Sequence, residues 1–298
     1  MADILKTNSL SKSYKNVQAL QDLNITVKKG QVYGLLGPNG SGKTTTLGIL
    51  LGVIKPDNGK FNWFGNNQRD ENRKNIGALL ETPNFYPYLN AVDNLKIVAE
   101  IKSMDNVSDR IETVLRRVDL WKRKSAKFKT FSLGMKQRLA IASALLADPE
   151  VLVLDEPTNG LDPQGIAEIR SLILDVASTG KTIIIASHIL DEIEKVCTHV
   201  AILKSGKLIK EATLEEILIQ DKLLCVNSDN REELLNAIEE IPEFKYIKDL
   251  SGEILISVGE ERTNAEVNKI FAEKGIYLSS LSLHRKNLES TFLEIVSS

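Results

Sequence analysis

The chain has 298 residues, 42% of them apolar, with 38 Lys and Arg against 40 Asp and Glu. That length suits two domains, the composition is that of a globular protein, and a net charge of −2 argues against a dedicated nucleic-acid binder. No uncharged apolar run approaches the ~18 residues of a membrane span, and Met1 to Lys6 lack the apolar core of a signal peptide, which points to the cytoplasm.

The elements follow in chain order. Ile4 to Leu10 and Leu23 to Val27 alternate apolar and polar side chains, as half-buried antiparallel strands do. Gln31 to Leu36 reads as a short apolar strand and Thr44 to Val53 as a helix. Between them lies Gly37-Pro38-Asn39-Gly40-Ser41-Gly42-Lys43-Thr44-Thr45, a full match to the phosphate-binding loop G-x-x-x-x-G-K-[ST]. Its glycines let successive backbone N–H groups converge on an anion, and the helix that follows adds the positive end of its dipole. In this motif the lysine, Lys43, reaches the β- and γ-phosphates, and the Thr44 hydroxyl ligates magnesium. The loop therefore predicts binding of a nucleoside triphosphate.

Gly59 to Gly65 and Ile76 to Leu80 read as further strands. From Ala91 to Ala147 the pattern becomes helical, with segments at Val92 to Ile101, Asp109 to Val118 and Leu133 to Leu146. Within it, Lys122-Arg123-Lys124-Ser125-Ala126-Lys127-Phe128-Lys129 reads as a solvated basic loop rather than a nucleic-acid site. Val151 to Leu154 and Thr182 to Ala186 are continuous apolar runs, the pattern of central strands covered on both faces. Helices are predicted from Gly165 to Ser178 and Leu190 to Val196, and a hairpin closes around Ser205-Gly206.

Charge then changes sign. Residues 1–214 carry 29 basic and 23 acidic side chains, or +6; residues 215–298 carry 9 and 17, or −8. The shift places a domain boundary near residue 215. The tail reads strand (Leu223 to Asn227), helix (Arg231 to Ile241), strands (Tyr246 to Leu250 and Glu253 to Val258), helix (Asn264 to Lys274), strand (Ile276 to Leu283) and helix (Leu288 to Val296). Its first six elements are in the ferredoxin-like order β-α-β-β-α-β. The predicted fold class is α/β: residues 1–214 with a parallel core sheet, an antiparallel β edge and a helical subdomain at about 88–147, and residues 215–298 as a small α+β accessory domain. Cys197 and Cys225 have no metal or redox spacing and read as buried thiols; His199 and His284 read as ordinary core or surface residues.

Four further segments narrow the function. Phe131-Ser132-Leu133-Gly134-Met135-Lys136-Gln137-Arg138 resembles the signature motif of the ATP-binding cassette (ABC) ATPases. Val151 to Pro157, with Asp155 and Glu156, resembles their Walker B strand; Gly160-Leu161-Asp162 resembles the D-loop, and Ser187-His188 the switch histidine. Order and spacing match over roughly residues 3 to 212. The resemblance implies a P-loop NTPase cassette that binds ATP and Mg2+. It assigns Asp155 and Thr44 to the metal, Glu156 to the attacking water, His188 to the γ-phosphate and Tyr14 to the adenine ring. It implies that Ser132 and Gly134 act in trans, on ATP held by a second, head-to-tail ABC subunit, a homodimer being the simplest case. It also implies an integral-membrane permease as partner, at the inner face of the membrane, with Glu81 to Asn94 and the aromatics Phe85, Tyr86 and Tyr88 facing it.

There are two departures from the family pattern. Glu81 stands where the Q-loop glutamine is usual, as a possible metal ligand or a source of repulsion, and Leu133 and Met135 replace a glycine and a glutamine of the signature. Together they resemble the ATPases of bacitracin-resistance and lantibiotic-immunity exporters. Against a transporter ATPase stand two other readings: a non-transport ABC ATPase, and a regulatory ABC module that hydrolyses poorly.

Overall fold

The computed structural model describes residues 2–65, 69–81, 83–218, 223–250, 252–259, 262–284, 288–289 and 291–292. They fall into two compact units, Met1–Leu214 and Glu215–Glu294.

The first unit is built on a six-stranded sheet ordered β10-β9-β4-β8-β7-β6. Its members are β4 (Val32–Leu36), β6 (Ile76–Leu79), β7 (Val151–Asp155), β8 (Thr182–Ser187), β9 (His199–Lys204) and β10 (Lys207–Thr213). All neighbours run parallel except β9 and β10, which form an antiparallel hairpin. Every residue of β4, β7 and β8 is buried, as continuous apolar runs require of central parallel strands.

A second, antiparallel sheet joins β1 (Asp3–Tyr14) to β2 (Val17–Leu23), β3 (Thr26–Lys28) and β5 (Asn58–Trp63). Helix α1 (Lys43–Leu50) follows the phosphate loop, and its Leu47 and Ile49 share a core with Leu5, Leu10 and Leu20 of the antiparallel sheet and Leu35 and Val153 of the parallel one. Full burial of each such side chain stabilises by about 1.5–3 kcal/mol.

Between β6 and β7 lie α3 (Ala91–Ile101), α4 (Ser108–Arg117) and α5 (Leu133–Leu145). Asn90 caps α3 by accepting from the Asp93 N–H, and Ser132 caps α5 by accepting from the Met135 N–H. Two short helices were not read from the sequence, α2 (Arg69–Lys74) and α8 (Leu214–Leu218). Both are too short for a 3.6-residue period to register. Helices α6 (Pro163–Ser178) and α7 (Leu190–Val196) complete the unit.

The second unit has the order β11 (Leu223–Ser228), α9 (Arg231–Glu240), β12 (Phe244–Leu250), β13 (Glu253–Val258), α10 (Asn264–Glu273) and β14 (Leu278–His284). Its sheet runs β12-β13-β11-β14 with all neighbours antiparallel, so each β-α-β crossover skips one strand, as in ferredoxin-like folds. Leu234, Ile238 and Phe271 of the helices pack on Leu224, Val226, Ile254 and Ile256 of one sheet face. The last strand starts at Leu278 rather than Ile276, because the Ile276 N–H closes the end of α10 on the Phe271 carbonyl. Most of the helix expected from Leu288 to Val296 lies outside the described residues. Both cysteines are buried free thiols, and burial pushes the Cys197 thiol far up, into an inert form. No helix among the described residues is long and apolar enough to cross a membrane.

Candidate nucleotide site

Four loops leave the same edge of the parallel sheet, the carboxyl ends of β4, β8, β7 and β6, where open α/β sheets bind their ligands. They carry, in turn, the phosphate loop, His188, the Asp155-Glu156 pair and Glu81.

The phosphate loop is held open by its backbone. Gly42 has φ +106°, and a Cβ there would lie 2.5 Å from the Ala19 carbonyl of β2, so only glycine fits. Lys43 is buried, its Nζ donating to the Gly37 carbonyl at 2.8 Å and lying 3.7 Å from Glu156. The ammonium is thus bent back over the loop that it serves. The Ser41 hydroxyl is buried without a hydrogen-bond partner, a polar atom on the loop with nothing to bind within the protein. Thr44 is exposed at the first turn of α1 and Thr45 is half-buried.

Asp155 ends β7 and is 1% exposed, with neither carboxylate oxygen in a hydrogen bond of good geometry. Burial raises its pKa; the neighbouring Thr44 hydroxyl and Lys43 oppose the rise, and Glu156 and Glu81 add to it. A buried, bare carboxylate beside an exposed threonine hydroxyl is a donor set suited to a hard cation. Among the described residues no group of three or more His, Cys, Asp or Glu side chains could hold a metal alone.

Glu156 has a left-handed backbone, φ +47°, unusual for glutamate, and its N–H is tied to the Ala186 carbonyl of β8 at 2.9 Å. The turn swings its carboxylate to where one oxygen meets His188 Nδ1 at 2.8 Å and the other faces Lys43. Glu81 also has a left-handed backbone (φ +52°) and is exposed. It lines one cleft of about 210 Å3 together with Thr44, Asp155, Glu156, Asn159 and Gln137.

Sequence reasoning missed Gln137 and Asn159. Gln137 is 5% exposed although it stands between Lys136 and Arg138 in α5, so its polar sequence neighbours hid its burial.

Ser132 and Gly134 do not line that cleft. They line an adjoining open groove of about 460 Å3 with Met135, Gly160, Asp162 and Gln164, at the N-terminus of α5, and Leu133 lines both. Asp162 has a local task as well, capping α6 by accepting from the Gly165 N–H at 2.9 Å. Tyr14 sits 45% exposed at the hairpin joining β1 and β2, with Lys12 Nζ 5.5 Å from its ring centre.

The comparisons with known proteins agree with this geometry. The family model described as ABC transporter matches residues 20–159. The chain is 39% identical to the bacitracin transport ATP-binding protein BcrA of Bacillus licheniformis, over 99% of this chain and 98% of that protein. The chain belongs to the ABC transporter ATP-binding family. This ABC ATPase is also 39% identical to the lantibiotic transport ATP-binding protein SrtF of Streptococcus pyogenes, over 78% of this chain and 96% of that protein. Among solved structures, cbiO1 from Clostridium perfringens, part of the transporter complex cbiONQ, superposes with a TM-score of 0.67 at 30% identity, covering 73% of this chain and 91% of that one. The cassette MJ0796, in a dimeric post-hydrolysis state bound to ADP and Pi, superposes with a TM-score of 0.64 at 28% identity, covering 70% and 98%. Family membership makes the chain a nucleotide-binding ATPase.

Proposed function

We propose that this ABC ATPase energises a separate integral-membrane permease that exports an antibiotic or antimicrobial peptide, working at the inner membrane face as a homodimer. The observation that supports this best is the arrangement of Glu156 between Lys43 and His188 beside the bare Asp155. The cargo class rests on the full-length likeness to a bacitracin transport protein and on the lantibiotic relative.

In this reading the backbone N–H groups of Gly37 to Thr45 wrap the β-phosphate at the N-terminus of α1, and Tyr14 stacks on adenine. Asp155 and Thr44 would hold magnesium, with Glu81 of the same cleft as a further candidate ligand, and the ion would supply neutralising charge at the phosphates. When the γ-phosphate enters, Lys43 turns to it and leaves Glu156. The same phosphate competes for His188, which releases the second Glu156 oxygen. The freed Glu156 carboxylate then orients a water for in-line attack.

The groove at Ser132 and Gly134 supplies the other half of the site. A second copy would bring the N-terminus of its α5 onto the γ-phosphate, where three N–H groups and the helix dipole favour an anion. Closing and reopening that dimer is the mechanical output, delivered through the segment from Glu81 to Asn94. Asn94 braces this segment, accepting from the Tyr86 N–H at 2.8 Å and donating to its carbonyl at 3.2 Å. It leaves Tyr86 and Tyr88 49% and 62% exposed. Co-purification of the tagged chain with a permease of about six apolar spans, lost on Tyr86→Asp with Tyr88→Asp, is the expected result. Unchanged co-purification in that variant would place the coupling contact elsewhere.

A further inference from the structure

The basic run from Lys122 to Lys129 takes no part in the nucleotide site, yet it is an ordered strap. Its backbone is pinned alongside the aromatic segment: the Phe128 N–H donates to the Leu89 carbonyl at 2.8 Å and the Lys129 N–H to the Pro87 carbonyl at 2.9 Å. Asn90 and Lys127 form a β-bridge. Phe128 is buried with its ring edge-on to Phe85 at 5.2 Å. At the other end Trp121 is clasped by Lys124 and Arg116, whose cationic groups lie 3.6 and 4.9 Å from its ring centre.

With both ends fixed, Lys122, Arg123, Lys127 and Lys129 are exposed, and among the described residues no carboxylate pairs with them. Some surface cations of the same unit have carboxylate partners, such as Lys12 with Asp57 and Lys181 with Asp148, and others, such as Lys6, Lys15, Lys55 and Lys60, have none among the described residues; the strap differs in holding its four within one short run of chain, from Lys122 to Lys129. Holding four like charges close together on a rigid strap is unfavourable unless an external anion compensates. The concavity beside the strap does not suit an acidic peptide, because Asp93, Asp109 and Glu112 line it together with Trp121 and Lys124. Of these, Asp93 already faces Lys96 and Glu112 faces Arg116. The strap backbone runs beside the segment that carries two exposed tyrosines, Tyr86 and Tyr88, and basic side chains beside amphipathic aromatics suit the headgroup layer of an anionic membrane.

We infer that Lys122, Arg123, Lys127 and Lys129 form an electrostatic contact with anionic phospholipid headgroups bordering the permease. The inference rests on the membrane-facing reading of the Tyr86–Tyr88 segment and adds to it a second, lipid contact that needs no permease. It also gives the chain a way to return to the membrane surface if the permease contact opens during a cycle.

The test is co-sedimentation of the purified full-length chain, without permease, with vesicles of phosphatidylcholine alone or with about a third phosphatidylglycerol. At roughly fivefold per cation, the four together predict binding on the order of a hundredfold or more tighter to the anionic vesicles at low salt, falling steeply as salt is raised. The quadruple variant Lys122→Gln, Arg123→Gln, Lys127→Gln, Lys129→Gln should lose most of that difference while keeping its ATPase rate and melting temperature. Equal binding to both vesicle types, or anionic binding unchanged in the quadruple variant, overturns the inference. Vesicles ignored while the variant loses permease co-purification would instead make the strap a protein contact. Loss of co-purification in the Tyr86 and Tyr88 variant tests the permease reading separately, so the two can fail independently.

Discussion

Asp155 has the clearest conflict between stability and chemistry. Its carboxyl is buried, has only the Thr44 hydroxyl beside it to offset that burial along with Lys43, and is pushed up in pKa first by burial. A carboxyl that binds its proton more tightly when folded weakens the fold as pH rises from its unfolded pKa through the folded one, and the full penalty applies at neutral pH. Asp155→Asn should therefore raise the melting temperature of the nucleotide-free protein at pH 7 by a few degrees, about 1–3 kcal/mol, and abolish hydrolysis. A scanning calorimetry trace with an unchanged or lower transition would mean that the carboxylate has a partner the geometry does not show. Tyr14 makes a smaller, cleaner case. If its exposed ring stacks on adenine, Tyr14→Ala should weaken ATP binding by ~1–3 kcal/mol, while Tyr14→Phe stays within a few tenths. Titration with a fluorescent ATP analogue distinguishes the two. The sequence placed Lys43, Asp155, Glu156 and His188 as candidates through the resemblance, and the fold brings them to one sheet edge; their mutual contacts were not legible. That His188 and Lys43 both turn to Glu156 follows from the left-handed turn at Glu156, which no periodicity encodes.

At the scale of elements, long amphipathic or wholly apolar segments were readable from sequence, and Leu190–Val196 and Glu253–Val258 match the expected bounds. The two short helices and the start of β14 were not, since caps and tertiary hydrogen bonds decide them. The β9–β10 turn shows how an element far along the chain supports the site. The Gly206 N–H donates to the Ser41 carbonyl of the phosphate loop at 3.1 Å, and the Gly206 carbonyl accepts from the Gln21 N–H of β2 at 2.8 Å. The Gln21 side chain adds a bond to the Ser205 carbonyl at 3.0 Å. Gly206 has φ +80°, and a Cβ on it would lie 2.8 Å from the Ala19 carbonyl. Gly206→Ala should thus cost about 1–3 kcal/mol of stability and weaken ATP binding more than it slows turnover of bound ATP. A loss of turnover with unchanged affinity would show that the turn does not position the loop.

At the scale of the whole molecule, the separation of two surfaces matters most. Thr44, Asp155 and Glu156 meet in one cleft, and Ser132 and Gly134 line another groove in the same chain. On the proposed reading a single copy presents half of a site at each place, and a head-to-tail pair would complete both. The acidic second unit has its own core and its own antiparallel sheet. The alignment with SrtF covers 96% of that protein but only 78% of this chain. The central claim is that catalysis needs the signature groove of a second copy. Glu156→Gln, which should slow hydrolysis by ~10²-fold or more while leaving ATP bound, is the background in which to measure it. By analytical ultracentrifugation with ATP and magnesium, Glu156→Gln should convert to a dimer. Adding Ser132→Glu should return it to monomer with ATP still bound, because the new carboxylate faces the phosphate. A Glu156→Gln protein that saturates with ATP as a monomer, or a double variant that still dimerises, would contradict the account.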